Sequence, residues 1–416
     1  MIFARRSLLS VLPLLAAGGS SFAKTNQIKD LQAELEKSIQ GDGVLRLPAG
    51  SFSVSGLKIT GPVRLEGVAG RTRLIAIDSA PVLLIEDAAG VAISGLIFEG
   101  SEVIARNASG LVIDGCAFAN SKASGLRLEG CSGRVMGNSF SNVAQTALFA
   151  RDSKGLEISG NHVRDAGNNG IQVWTSEPSE DGTIICNNRV ERIAAKDGGT
   201  GQNGNGINIY KAGNVMVSGN RISDCAFSAI RNNSGSNCQI IGNSISRTGE
   251  VAIYCEFAFE GAVVSNNLIE DVAFGISITN FNEGGRLAVC ANNLVRKVKG
   301  GGSLPQTSAV GIAAEADAQV TGNVVEDAAD AGVNLGWGQY CRNLSATGNT
   351  IRNCGRGIAF SVSEGAGPVM ITGNRVVGAR TANIQGMNYD EAVTGDLALA
   401  GVAIPGKSML AGNLVS

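Results

Sequence analysis

One short phrase returns along most of this chain: apolar, any residue, Gly or Asn, Asn, any residue, apolar. It reads Val135-Met-Gly-Asn-Ser-Phe140, then Ile158-Ser-Gly-Asn-His-Val163, then Ile185-Cys-Asn-Asn-Arg-Val190. Its asparagine falls at positions 138, 161, 188, 220, 243, 267, 293, 323, 349, 374 and 413, with degenerate copies of the phrase earlier, at 93–98 and 113–118. A unit of this length cannot enclose a core of its own. It buries its apolar side only against its neighbours, so the chain must stack coil on coil.

A second phrase follows the first in each repeat: Gly or Ala, apolar, any residue, apolar. Examples are Gly125-Leu-Arg-Leu128, Gly170-Ile-Gln-Val173, Gly206-Ile-Asn-Ile209 and Gly275-Ile-Ser-Ile278. Both phrases alternate apolar and polar residues and are rich in Ile and Val, the signature of short strands with one face inward. Gly and Asn between them supply turns, because both tolerate left-handed backbone angles. The expected unit is one coil of two or three short parallel strands, and the expected class is all-β.

The pattern resembles the right-handed parallel β-helix of pectate-lyase-like and other carbohydrate-active proteins, over about residues 25 to 416. The resemblance implies a single-stranded right-handed parallel β-helix, a solenoid with an N-terminal capping α-helix. Its consensus residues are structural, so it implies no catalytic ones.

Stacking turns equivalent residues into columns. The repeated Asn is expected to form an internal ladder, because a buried amide needs partners. Phe98, Phe118 and Phe140 share a column with Val163, Val190, Ile222, Ile245 and Ile269. Asp165, Arg192, Asp224, Arg247, Asp271, Lys297 and Asp327 alternate strictly in sign, and so do Glu270, Arg296, Glu326 and Arg352. On successive coils these become ion pairs that fix register, which removes most repeat carboxylates from the catalytic candidates.

Residues 1–23 read as an export signal. Ala4-Arg-Arg-Ser-Leu-Leu9 resembles the twin-arginine motif, an apolar stretch follows, and Ser21-Phe-Ala23 fits a cleavage site. The whole chain is similar to twin-arginine-exported β-helix repeat proteins, which implies the twin-arginine machinery as a partner and a periplasmic or secreted protein. No segment reaches the roughly 20 apolar residues needed to span a bilayer, so an integral membrane protein is not expected. The β-helix domain is assigned to 24–416. Within it 24–42 is a capping helix, from the spacing of Ile28, Leu31, Leu35 and Ile39, and 379–409 is an irregular cap where the repeat breaks.

Formal net charge is −2, and −4 once Arg5 and Arg6 leave with the signal, from 32 basic against 36 acidic residues. With no basic stripe, nucleic acid is not an expected partner. The nine cysteines include no CxxC. Cys225 and Cys354 fall in a column with Val143, Ala166 and Val272, and Cys255 in one with Val173, Ile209 and Ile278, so they read as small apolar core residues. One His excludes a His-rich metal site. No cofactor can be named, and Gly198 to Gly206 lacks the lysine of a phosphate loop and reads as an enlarged turn.

The outward positions of the second phrase carry the functional candidates. Arg127, Phe149, Gln172, Asn208, Arg231 and Tyr254 lie between its apolar residues, with Ser277 and Ala313 beyond. Trp174, Tyr210, Asn233, Glu256 and Thr279 follow it directly. The same coils hold the longest insertions, 175–182 and 194–205, expected to wall a groove. Trp174 and Tyr210 suit stacking on sugar rings, with Gln172, Asn208 and Asn233 as hydrogen-bonding partners. The expected ligand is an acidic polysaccharide. In a lyase or epimerase, Arg231 would neutralise a uronate carboxylate, and Tyr254 or Lys211 would exchange the proton with a pKa lowered by cationic neighbours. In a hydrolase, Glu256 would need a second carboxylate, from Asp197, Glu177 or Asp181. His162, Arg189 and Arg221 share a column on the first phrase and are a further binding set if the coil brings them round. A non-catalytic glycan-binding or structural repeat protein is the alternative.

Overall fold

The computed structural model describes residues 30–280, 284–399, 402–406 and 408–416. The expected signal at 1–23, and Ile28 of the expected helix, lie outside the described residues. Each coil gives one strand to each of three sheets, and each sheet has 15 strands. The first phrase bridges a corner: Gly133–Met136 belongs to the first sheet and Ser139–Val143 to the second. The second phrase forms the third sheet, as at Leu126–Glu129. Its glycine stands where the next coil passes close, and a Cβ at Gly170 or Gly275 would collide with the carbonyl of Gly206 or Gly311.

The corner between the first and second sheets is closed by the asparagine ladder. The backbone N–H and Nδ2 of Asn161 both donate to Asn188 Oδ1, at 2.9 Å each, while Nδ2 also donates to the Val135 carbonyl at 2.9 Å. The same three bonds recur from Asn138 to Asn374, which ends on Asn413. Below Asn138 the degenerate phrase carries Cys116 in place of Asn, and there only the Cys116 backbone N–H donates to Asn138 Oδ1, at 2.9 Å. Between the two ends each amide is fully bonded, so burial costs these polar groups little.

Inside, Phe98, Phe118 and Phe140 stack at 5.2 and 4.6 Å, and the column continues in register through Val163, Val190 and Ile222. All nine cysteines are free thiols; eight are buried and Cys186 is half-buried. Burial pushes the Cys116 thiol up to about 11.

The charge columns mark the corner between the second and third sheets, where Asp165, Arg192, Asp224 and Arg247 all have φ between 53° and 58°. Arg192 pairs with Asp165 and Arg247 with Asp224, each at 2.7 Å. The expected Lys297–Asp271 pair does not form. Lys297 reaches Glu270 at 2.6 Å, joining Arg296 there, and Lys299 takes Asp271. These pairs are exposed to water, which screens them, so they fix register more than they add stability.

The helix spans Leu31–Gln40, with Asp30 accepting the Ala33 N–H at 3.0 Å and Gly41 ending it. Leu31 and Leu35 are buried against the first coil. Gln32 exchanges hydrogen bonds with the backbone of Lys58, at 3.0 and 2.8 Å, so one side-chain amide covers part of an open sheet edge. At the other end, the segment read as irregular contains ordered strands. Ala382–Asn388 continues the third sheet and Glu391–Asp396 folds back on it antiparallel. Among the described residues no helix is long and apolar enough to cross a membrane.

Candidate functional site

Register puts the outward residues of the third sheet in two adjoining columns. Arg127, Phe149, Gln172, Asn208, Arg231 and Tyr254 are neighbours on successive coils, and beside them run Arg151, Trp174, Tyr210, Asn233 and Glu256. Trp174 meets Phe149 edge-on at 6.0 Å and Tyr210 edge-on at 5.0 Å, and remains 37% exposed. The Lys211 ammonium lies 5.3 Å from the Tyr210 ring centre and donates to the Ser176 carbonyl at 3.3 Å.

Of these, Arg127, Phe149, Gln172, Trp174, Asn208, Tyr210, Arg231 and Asn233 border a cavity of about 820 Å³, whereas Lys211, Tyr254 and Glu256 do not line it. Gln172 and Asn208 are on its floor, Trp174 and Tyr210 on one side, and Asp197, Thr200 and Gln202 on the other. The 194–205 insertion therefore builds a wall, as expected. Asn168 holds it, donating from Nδ2 to Asp197 Oδ2 at 2.8 Å and accepting the Asp197 N–H at 3.0 Å. Gly201, at φ 127°, lies on the Arg231 guanidinium, where any Cβ would collide. The other insertion does not wall the groove. Residues 175–180 extend the strand Asn169–Glu180 past a bulge, so Glu177 lies away from the cavity. Asp181 is buried beyond it, accepting the Thr183 N–H at 2.9 Å, and burial raises its carboxyl.

The chemistry expected at Arg231 is not available. Its Nε donates to Glu256 at 2.6 Å and its second nitrogen lies 3.4 Å from Glu250, which also accepts the Ser228 hydroxyl at 2.8 Å. Asn233 donates to the same Glu256 oxygen at 3.0 Å. The guanidinium is covered by the Tyr254 ring at 5.2 Å. Glu256 is 1% exposed and cannot meet a substrate. Burial raises both glutamate carboxyls, with Arg231 opposing it. For Tyr254, burial and then the two glutamates raise the hydroxyl pKa, so the lowered pKa expected of a base is corrected in sign. Glu250 precedes the strand Val251–Glu256 and belongs to neither phrase, so nothing in the repeat pointed to it.

His162, Arg189 and Arg221 stand in one column of the second sheet, separate from the third-sheet set. His162 and Arg189 both bind Glu191, at 3.2 and 3.1 Å. Burial works to raise Glu191, but hydrogen bonds from Arg189, His162 and Arg192 overcome it and bring it down to about 2.

The late coils, whose outward residues are small, hold a second cavity of about 730 Å³ on the same sheet. Ala313, Ala331 and Ala359 are its floor, and the hollow exists because these side chains are short. Its walls come from outside the repeat phrases: Trp337 and Tyr389 meet edge-on at 5.5 Å. Arg231 borders the first cavity and Tyr254 the second, so their stacked pair forms the partition.

Among solved structures the chain is similar to PfbA, a surface adhesin of Streptococcus pneumoniae. Identity is 12%, covering 89% of this chain and 92% of that one, with a TM-score of 0.49. Alginate lyase AlyF-OU02 in complex with G6 matches at 14% identity, over 94% and 82% of the two chains, with a TM-score of 0.45. The catalytic unit of the GH87 alpha-1,3-glucanase from Streptomyces thermodiastaticus strain HF3-3 matches at 14%, over 96% and 70%, with a TM-score of 0.46. Comparison with curated proteins gave no match. The sequence model described as right handed beta helix region matches residues 37–190 and 177–311. With that match covering more than half of the sequence, the chain belongs to the right-handed beta helix family.

Proposed function

We propose that this chain binds a polysaccharide along the outward face of its third sheet, and that the sugars held there are uncharged. The observation that carries the reading is the row Phe149, Trp174 and Tyr210 beside a cavity floored by Gln172 and Asn208. Successive rings are one coil apart, about 4.8 Å, so a chain lying along the axis meets an aromatic edge or face at each coil. Amide side chains below suit hydroxyl groups, which both donate and accept.

Charge separates this reading from the acidic polysaccharide expected of the sequence. Arg127 is bound to Glu102, and Arg231 to Glu256 and Glu250. A uronate would have to displace a buried carboxylate to reach Arg231. The same bonds weigh against the lyase or epimerase chemistry, which needs an open cation and an acidified base. A binding protein without turnover is therefore the better supported member of the pair. The proposal includes export by the twin-arginine route, which cell fractionation with and without Arg5 and Arg6 tests.

Affinity electrophoresis in gels cast with neutral glucans, xylans and mannans, and with alginate or pectate, tests the reading. Retardation by a neutral polymer is expected, with Trp174→Ala weakening it about tenfold, which is about 1.4 kcal/mol of lost stacking. Retardation only by the uronate polymers, or none lost in Trp174→Ala, overturns it.

A further inference from the structure

The second cavity differs in character from the first. Its floor is a separate apolar cluster outside the coil core, made of Val310, Ala313, Ala331, Ala359 and Met387, with Phe274 packed against it. Three carboxylates line it, Glu315, Asp330 and Asp390, against one guanidinium, Arg356, whose Nε donates to Gln385 at 2.7 Å. Asp330 is fixed by the Ala309 N–H at 2.6 Å, and Glu315 accepts the Asn280 N–H at 2.9 Å. The aromatic wall is held in place: Gly338, at φ 52°, lies against the Tyr389 ring, where a Cβ would collide. Thr279 lines the cavity at 7% exposure, and its Oγ1 has no hydrogen-bond partner among the described residues.

We propose that this second cavity binds a small alkylammonium ion, its charge facing Trp337, Tyr389 and the carboxylates and its alkyl groups resting on the alanine floor. Aromatic faces attract such cations through the ring quadrupole, and the attraction grows when the site is partly desolvated. Carboxylates on the rim add a longer-range attraction that a neutral ligand of the same shape does not feel. A metal ion is the competing cation, but no group of three His, Cys, Asp or Glu among the described residues is placed to hold one. The site shares no lining residue with the proposed glycan row, so it stands or falls apart from that reading.

Calorimetric titration of the intact protein with the (2-hydroxyethyl)trimethylammonium ion, and with its neutral isostere 3,3-dimethylbutan-1-ol, tests the proposal. Saturable binding of the cation is expected, with the alcohol about tenfold weaker. Tyr389→Ala and Asp330→Asn are each expected to weaken the cation about fivefold. Trp174→Ala is expected to leave it unchanged, which separates this site from the glycan row. Asp390→Asn, at an exposed position, serves if Asp330→Asn does not fold. No binding at millimolar concentration, equal affinity for the alcohol, or affinity unmoved by every variant of the cavity overturns it.

Discussion

Arg231 holds two buried glutamates, one on each side of its guanidinium, and its own charge is spent on them. Its value is therefore structural before it is chemical. In Arg231→Gln the two carboxyls lose their counter-charge, and their pKa values, already raised by burial, rise further. A carboxyl raised in the folded state contributes stability that is full below its unfolded value of about 4.5 and is lost as pH rises through the folded value. The variant should thus unfold about 3 kcal/mol more easily than the parent at pH 7 and close to normally at pH 4, read by urea denaturation at both. A deficit independent of pH would mean that the guanidinium acts by packing alone. The opposite sign belongs to Glu191, held down at about 2, whose contribution is present at neutral pH and fades as pH falls from about 4.5 toward 2. Residue identity in the columns was legible from the sequence, because spacing alone aligns Trp174 with Tyr210 and Arg231 with Tyr254. What each side chain binds was not. Glu250 lies outside the repeated phrases, and a lone Arg in a list of outward residues does not show that a neighbour has claimed it.

At the scale of the element, the asparagine corner sets the fold. Asn220 accepts two bonds from Asn188, donates to Ile185, and donates to Asn243. Asn220→Ala strands the Asn188 amide and the Ile185 carbonyl inside the coil, so a loss of about 3 kcal/mol is expected. Asn413→Ala, at the half-buried end of the ladder, should cost about 1 kcal/mol. Equal losses at both positions would show that the ladder does not draw its strength from burial. The ladder, the phenylalanine stack and the alignment of columns were readable because a period-two pattern and a fixed Asn leave one way to stack, whereas the choice between two and three strands per coil was settled only by the corner at the Asn. The second cavity was not readable for a related reason. Its floor is made of small residues that look featureless in a sequence, and its walls, Trp337 and Tyr389, come from connections that carry no period.

Across the whole molecule, the third sheet carries two hollows of similar size divided by the Arg231–Tyr254 stack. One is bounded by amides and an open aromatic row, the other by carboxylates over an apolar floor. Both lie on one rigid surface, so occupancy of one need not move the other, and ligand binding at the two should be additive. The asparagine chain gives this surface an unusual property. Every link is the same residue making the same bonds, so a coil can be spliced out between two links without leaving a loose end. Removing two coils, residues 221–267, would join Asn220 to Leu268 in the register that Arg221, Ser244 and Leu268 already share. The shortened chain should still unfold in one transition, as seen by circular dichroism. It would lack Arg231, Tyr254 and both glutamates together, and the two hollows would open into a single trough. The partition is thus a removable cassette, and the length of the outward face is set by how many cassettes the chain contains.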